Sequence, residues 1–193
     1  MRSLLLLALT LTPAFSATIV EYNGANTSTD SIFVGQSFTT PTGGPWTNLT
    51  FNLYDINDAP SANGTLYLLT QAYAGAPNAL SNATPGYLAS TASINGGIWS
   101  FAPAVSINSS TQYFFYTDGL NNILRANTTG TYPDGIAYFS MAANANFVTD
   151  STSDTLFNLS GTPGDTAVPE PATALMLAAS LTALALVRRP ARR

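Results

Sequence analysis

The clearest regularity along this chain is a period of two. Within residues 46–54, Leu49, Phe51 and Leu53 alternate with Asn48, Thr50 and Asn52, which is the pattern of a strand with one face toward a core and the other toward water. Similar short runs predict strands at residues 31–39, 65–71, 97–101, 112–117, 136–141 and 155–159, with weaker signals at 18–22, 87–94 and 104–107. Turn-forming residues separate nearly all of them: Pro41-Thr42-Gly43-Gly44-Pro45, Asn63-Gly64, Asn95-Gly96-Gly97, Asp118-Gly119 and Pro133-Asp134-Gly135. The Ala-rich stretch 142–146 is short and broken by Asn, so no helix is predicted in the body. The expectation is all-β: a two-sheet antiparallel β-sandwich, jelly-roll-like.

Two stretches of the chain break this rhythm. Residues 71–85 are rich in Ala, Asn, Pro and Gly without alternation and read as a long loop, either a lid or an insertion. Residues 161–167 are polar with Gly and Pro and read as a linker. The body is therefore placed at residues 17–160.

Both ends of the chain read as addresses. Arg2 precedes an apolar run from Leu4 to Leu11, then Pro13 and Ala14-Phe15-Ser16 before Ala17. The expectation is a signal peptide over residues 1–16 with cleavage between Ser16 and Ala17, because a cut after Ala17 would put bulky Phe15 three residues before the break. At the other end, every residue of 172–187 is apolar, Ser or Thr, and as a helix this run would be about 24 Å long at about 1.5 Å per residue. That is short of a hydrocarbon core of about 30 Å, but Arg188, Arg189, Arg192 and Arg193 follow, and their stems can reach the interface. Positive charge fixes these arginines inside and the body outside.

Before that run stands Val168-Pro169-Glu170-Pro171. Each proline pushes its preceding residue out of the α region, giving an extended tetrapeptide at the membrane-water boundary. The order of this tetrapeptide, the apolar run and the arginine cluster resembles the PEP-CTERM sorting domain of bacterial exported proteins, over residues 168–193. The resemblance implies processing by an exosortase near Pro169–Pro171, after signal peptidase has acted, and delivery of the body to the cell envelope or extracellular matrix. An uncleaved single-pass anchor is the alternative. The body's Val34-Gly35-Gln36-Ser37-Phe38-Thr39, its strand at 49–54 and Gln112-Tyr113-Phe114-Phe115-Tyr116 look like the choice-of-anchor β-sandwich domains that accompany such tails.

Composition narrows the chemistry. The sequence has no Cys, His or Lys, so it cannot build a Ser-His-Asp triad, a thiol nucleophile, a Schiff base or a His-ligated zinc. From Ala17 to Glu170, ten acids face one base, Arg125, which rules out a phosphate-neutralising surface and hence nucleic acid. Paired carboxylates remain as a route to glycoside hydrolysis, but Asp55, Asp58, Asp118, Asp134, Asp150 and Asp154 sit among turn residues, where Asp serves the backbone. The expectation is no enzyme and no cofactor.

Two binding possibilities follow from what is left. Asp55, Asn57 and Asp58 offer oxygens to calcium, against the plainer reading of a solvated turn, with Asp150 and Asp154 as a weaker second set. Trp46 and Trp99, with Tyr87, Tyr113 and Tyr116, offer rings for sugar stacking, against the reading that aromatics at period two fill a core. Seven Asn-x-Ser/Thr sequons, beginning at Asn26, Asn48, Asn63, Asn82, Asn108, Asn127 and Asn158, follow from a composition rich in Asn, Ser and Thr. The expected role is structural or adhesive, at the cell surface or in the extracellular matrix. The alternative is a carbohydrate-binding module attached to exopolysaccharide.

Overall fold

The computed structural model describes residues 15–24, 27–127 and 132–164. In chain order the strands are β1 (Ala17–Tyr22), β2 (Thr27–Thr39), β3 (Trp46–Leu53), β4 (Leu66–Leu69), β5 (Tyr87–Thr91), β6 (Ile94–Asn95), β7 (Ile98–Ser100), β8 (Gln112–Thr117), β9 (Asn121–Asn127), β10 (Ala137–Ser140), β11 (Val148–Asp150), β12 (Ser153–Thr155) and β13 (Phe157–Pro163). They form two antiparallel sheets. The smaller runs β1-β13-β3-β7-β6 and the larger β11-β10-β2-β8-β4-β5, with β9 paired to β2 and β12 to β9. The helical content of the described residues is a 3₁₀ turn at Pro77–Ala79.

The alternation that predicted β3 buries Leu49, Phe51 and Leu53 against the larger sheet. Phe51 is the hub: its ring lies 4.5 Å from Phe115 of β8 and stacks at 5.6 Å on Phe157 of β13. Phe38 of β2 joins them, 6.1 Å from Phe157. Rings from both sheets thus meet face to edge or stacked, geometries that add to the gain from removing their area from water. This is the face-to-face packing of a β-sandwich.

The larger sheet is buried on its outer face as well. Phe33, Tyr67, Leu69, Phe114, Tyr116 and Tyr138 form a second core there with Leu80 and Phe147. Residues 71–85 supply the cover: Tyr73 N donates to Tyr116 Oη at 3.0 Å, and Phe147 N donates to Gly75 O at 3.0 Å. The loop is a packed third layer, which answers the lid-or-insertion question in favour of structure. It also explains why successive residues 113–116 are all buried, where an alternating strand would expose every second one.

Several boundaries differ from the sequence pattern. β2 begins four residues earlier than the expected 31–39, where a polar run pairs with β9 from Thr27↔Ala126 to Ile32↔Asn121. Strands β9 and β11 carry no alternation and no pattern predicts them, and the strand expected at 155–159 is divided between the end of β12 at Thr155 and the start of β13 at Phe157. The strand expected at 104–107 reduces to one bridge between Ile107 and Trp46. β13 continues through Pro163 opposite Trp46, taking residues 161–163 from the expected linker into the sheet.

Candidate functional site

At the Leu53 end of β3, the chain turns through Asp55-Ile56-Asn57-Asp58 and leaves a cleft of about 370 Å³. Its walls are Thr29, Asp30 and Ser31 of β2, Asn122 and Ile123 of β9, and Asp55 and Ile56 of the turn. The β2–β9 ladder sets Asp30 opposite Ile123 and Ser31 opposite Asn122, so polar side chains from two strands open into one space. Ile56 is 70% exposed and gives this otherwise polar site an aliphatic edge.

The turn itself is held by Asp55. Its Oδ1 accepts from Asn57 N at 2.8 Å and Ala59 N at 3.0 Å, and these backbone donors lower its carboxyl below the ordinary carboxylate range. Asp58 N donates to Asp55 O at 3.0 Å, with Asp58 in the left-handed region at φ 56°. Of the calcium candidates, Asp55 is therefore occupied in building the turn, and Asn57 and Asp58 contribute no wall to the cleft. Among the described residues, no three acids come together in a way that could hold a metal ion.

Beside the cleft lies a polar cluster that the sequence did not announce. Arg125 of β9 is 9% exposed. Its Nη1 donates to Asp30 Oδ2 at 3.0 Å, and its Nη2 donates to both Asp150 and Ser153. The guanidinium carbon sits 5.4 Å from the Phe139 ring centre, a cation–π arrangement. At Asp150, burial opposes ionisation, but hydrogen bonds from Ser153 and Thr152, with Arg125, outweigh it and hold the carboxyl well below its usual range. Asp154 is 2% exposed, taking Gln36 Nε2 at 2.7 Å and Tyr132 N at 2.8 Å. Gln36 completes the link by accepting from Thr155 N. The second calcium set, Asp150 and Asp154, is thus committed to Arg125 and Gln36.

The aromatic candidates for sugar stacking are in the core. Trp99 is fully buried and its indole N–H donates to Gly64 O at 3.0 Å, while Trp46 is 5% exposed and pairs through its main chain with Ile107. Tyr113 and Tyr116 are buried too, and Tyr87 is half-buried with its hydroxyl against Ser90. A ring enclosed on both faces offers no platform to a pyranose, so Trp46 and Trp99 are corrected from glycan contacts to core residues.

Of the terminal signals, Ala17 is the first residue of β1 and Ser16 immediately precedes it. Val168, Pro169, Glu170 and Pro171, the run 172–187, and Arg188, Arg189, Arg192 and Arg193 lie outside the described residues. No helix among the described residues is long and apolar enough to cross a membrane.

Fold and cleft together define an all-β domain of two packed antiparallel sheets, stabilised by an aromatic core and a buried arginine cluster, with an acidic cleft at the far end of β3. No family model, characterised protein or solved structure matches the chain.

Proposed function

We propose that this chain is an exported bacterial surface or extracellular-matrix protein with a structural or adhesive, non-catalytic role. In this reading it carries an N-terminal signal peptide, a jelly-roll-like sandwich body and a C-terminal transmembrane sorting signal recognised by an exosortase. The observation that carries the reading is the three-part order of Val168-Pro169-Glu170-Pro171, the apolar run 172–187 and the terminal arginines. The body is compatible with it at both junctions. β1 starts at Ala17, the residue after the proposed signal-peptidase cut, and pairs with Gly161 of β13. β13 lies between β1 and β3, so the strand that leads to the anchor is bonded on both edges.

The carboxylates with resolved partners serve the fold: Asp55 and Asp118 cap backbone N–H groups, and Asp30, Asp150 and Asp154 belong to the Arg125 and Gln36 network. That usage supports a non-catalytic body. The testing experiment is mass spectrometry of the mature C-terminus from the native host. An end near Pro169–Pro171 supports sorting and cleavage; recovery of an intact Arg193 from the envelope means a retained anchor and overturns the exosortase step.

Attachment to exopolysaccharide is the second reading, and the cleft is its candidate place, where Asn122, Ser31 and Thr29 present polar groups beside Ile56. Retardation of the body in polysaccharide-containing gels, lost in Asn122→Ala with the fold retained, supports it.

A further inference from the structure

We infer that in the membrane-inserted precursor the body stands with its 40–45 and 108–111 loops against the phospholipid headgroups and holds its acidic cleft at the opposite, outward end. The inference rests on the proposed C-terminal anchor and adds to it the face of the body that meets the membrane.

Three observations fix the polarity. First, the chain leaves the body at the Trp46 end of β3, because β13 reaches Pro163 opposite Trp46 and Gly164 N then donates to Pro45 O at 2.6 Å. Second, that end is without charge in its loops. Thr40-Pro41-Thr42-Gly43-Gly44-Pro45 and Asn108-Ser109-Ser110-Thr111 contain no ionisable side chain, and Thr40 Oγ1 binds them together by donating to Asn108 O at 2.7 Å. Ala17, opposite Gly161 at the same end, would carry an ammonium after cleavage at Ser16. Asp134, whose carbonyl accepts from Thr39 Oγ1, lies on this half and lines a hollow with Glu21, Thr40 and Pro41; Asp150 and Asp154 lie beside the adjoining Gly135 and Ile136, with Asp150 paired to Arg125.

Third, carboxylates gather at the other end. Asp55 and Asp58 occupy the turn after β3, and Asp30 lines the cleft beside it. An anionic bilayer surface attracts cations and repels anions within about one Debye length, roughly 8–10 Å. The two uncharged loops nearest the anchor are the part of the body that such a surface repels least.

Reach then opposes inversion. Seven residues, 165–171, separate Gly164 from Ala172, eight steps that span at most about 29 Å when fully extended. Trp46 to Leu53 of β3 covers about 24 Å at the strand rise, and the Asp55 turn lies beyond. Turning the acidic end to the bilayer would lift the exit point by this whole length and hold the tether at full extension.

The chain has no cysteine, so single-cysteine variants take one label each. The full chain is reconstituted into phosphatidylcholine–phosphatidylglycerol vesicles containing headgroup spin-labelled lipid, with a fluorophore on Thr42→Cys or on Ile56→Cys. Both sites are exposed, and Asn108→Cys and Asn57→Cys form a second pair should either fail to fold. Several-fold stronger quenching at residue 42 than at residue 56 is the expected result. Equal quenching, as for a body lying on its side, or stronger quenching at 56 overturns the orientation while leaving the anchor intact. Failure of the chain to float with the vesicles overturns the anchor reading, and the orientation with it.

Discussion

Arg125 and Asp30 sit on neighbouring strands, 3.0 Å apart from Nη1 to Oδ2, and through the same guanidinium Asp30 is linked to Asp150, which immediately precedes the turn into β12. This buried cation sits where β2, β9, β11 and β12 converge, so its charge holds together segments far apart in sequence. Breaking a buried pair by removing one partner leaves the other charge desolvated and alone.

Arg125→Met should therefore destabilise the body by about 3–5 kcal/mol, the range for stripping one member from a buried pair. Urea unfolding of the 17–164 body checks this, if the fragment folds, and the full chain in detergent serves otherwise. Asp150→Asn should cost less, because the amide oxygen still accepts hydrogen bonds. A loss below about 0.5 kcal/mol for Arg125→Met, the level of an ordinary surface substitution, would mean that the cluster is not a staple.

Acid should weaken the fold through Asp150. Its carboxyl is held below its unfolded value, so its contribution is complete above an unfolded pKa of about 3.9 and is lost as pH falls through the lower folded value. Stability should decline from about pH 4 downward, and in Asp150→Asn the slope should be shallower. Denaturant midpoints across this pH range measure both.

Alkali should weaken the fold too, through the tyrosines. Burial raises Tyr116 furthest, Tyr73 N opposing by donating to its oxygen, and burial also raises Tyr67, Tyr73, Tyr132 and Tyr138. Stability carried by groups with raised values is intact below the unfolded pKa of about 10 and is lost as pH rises through the folded value. Ultraviolet absorbance should show phenolate appearing together with unfolding. Tyr116→Phe should blunt that coupling, at a cost of about 1 kcal/mol for the lost acceptor of Tyr73 N.

The β6–β7 hairpin offers a paired test of backbone geometry. Gly96 and Gly97 both have positive φ, 58° and 78°, but a Cβ on Gly96 meets open space while one on Gly97 would lie 2.1 Å from Pro60 O. Gly96→Ala should cost about 1–2 kcal/mol, the left-handed penalty alone. Gly97→Ala should cost clearly more in the same thermal or urea unfolding measurement. Equal losses would show that the Pro60 carbonyl yields freely.

Phe51→Ala should be among the most damaging core changes, at about 3–5 kcal/mol, because the ring joins Phe115, Phe157 and Trp99 across both sheets. Loss of cooperativity in near-ultraviolet circular dichroism would accompany it. An unchanged transition would place the core's centre elsewhere.

The sequence by itself determined the fold class and many of the strands: a strand with one buried face must alternate, as Leu49, Phe51 and Leu53 do in β3, and the run of aromatic residues at 112–117 marks β8, buried on both faces, with the same limits the structure gives it. It also determined which chemistries are unavailable, since missing His, Cys and Lys cannot be supplied by folding. Tertiary structure alone decided β9, β11 and most of β12. β11 buries no residue, β12 buries Ser153, Asp154 and Thr155, and β9 buries Arg125 beside Ile123 and Leu124; such polar groups enter a core only once partners such as Asp30, Gln36 and Asp150 arrive from distant strands. The same holds for Trp46 and Trp99, whose burial depends on which sheet face closes over them, and for the cleft, which exists because Asp30, Asp55 and Asn122 meet across a turn and a ladder that no local pattern encodes.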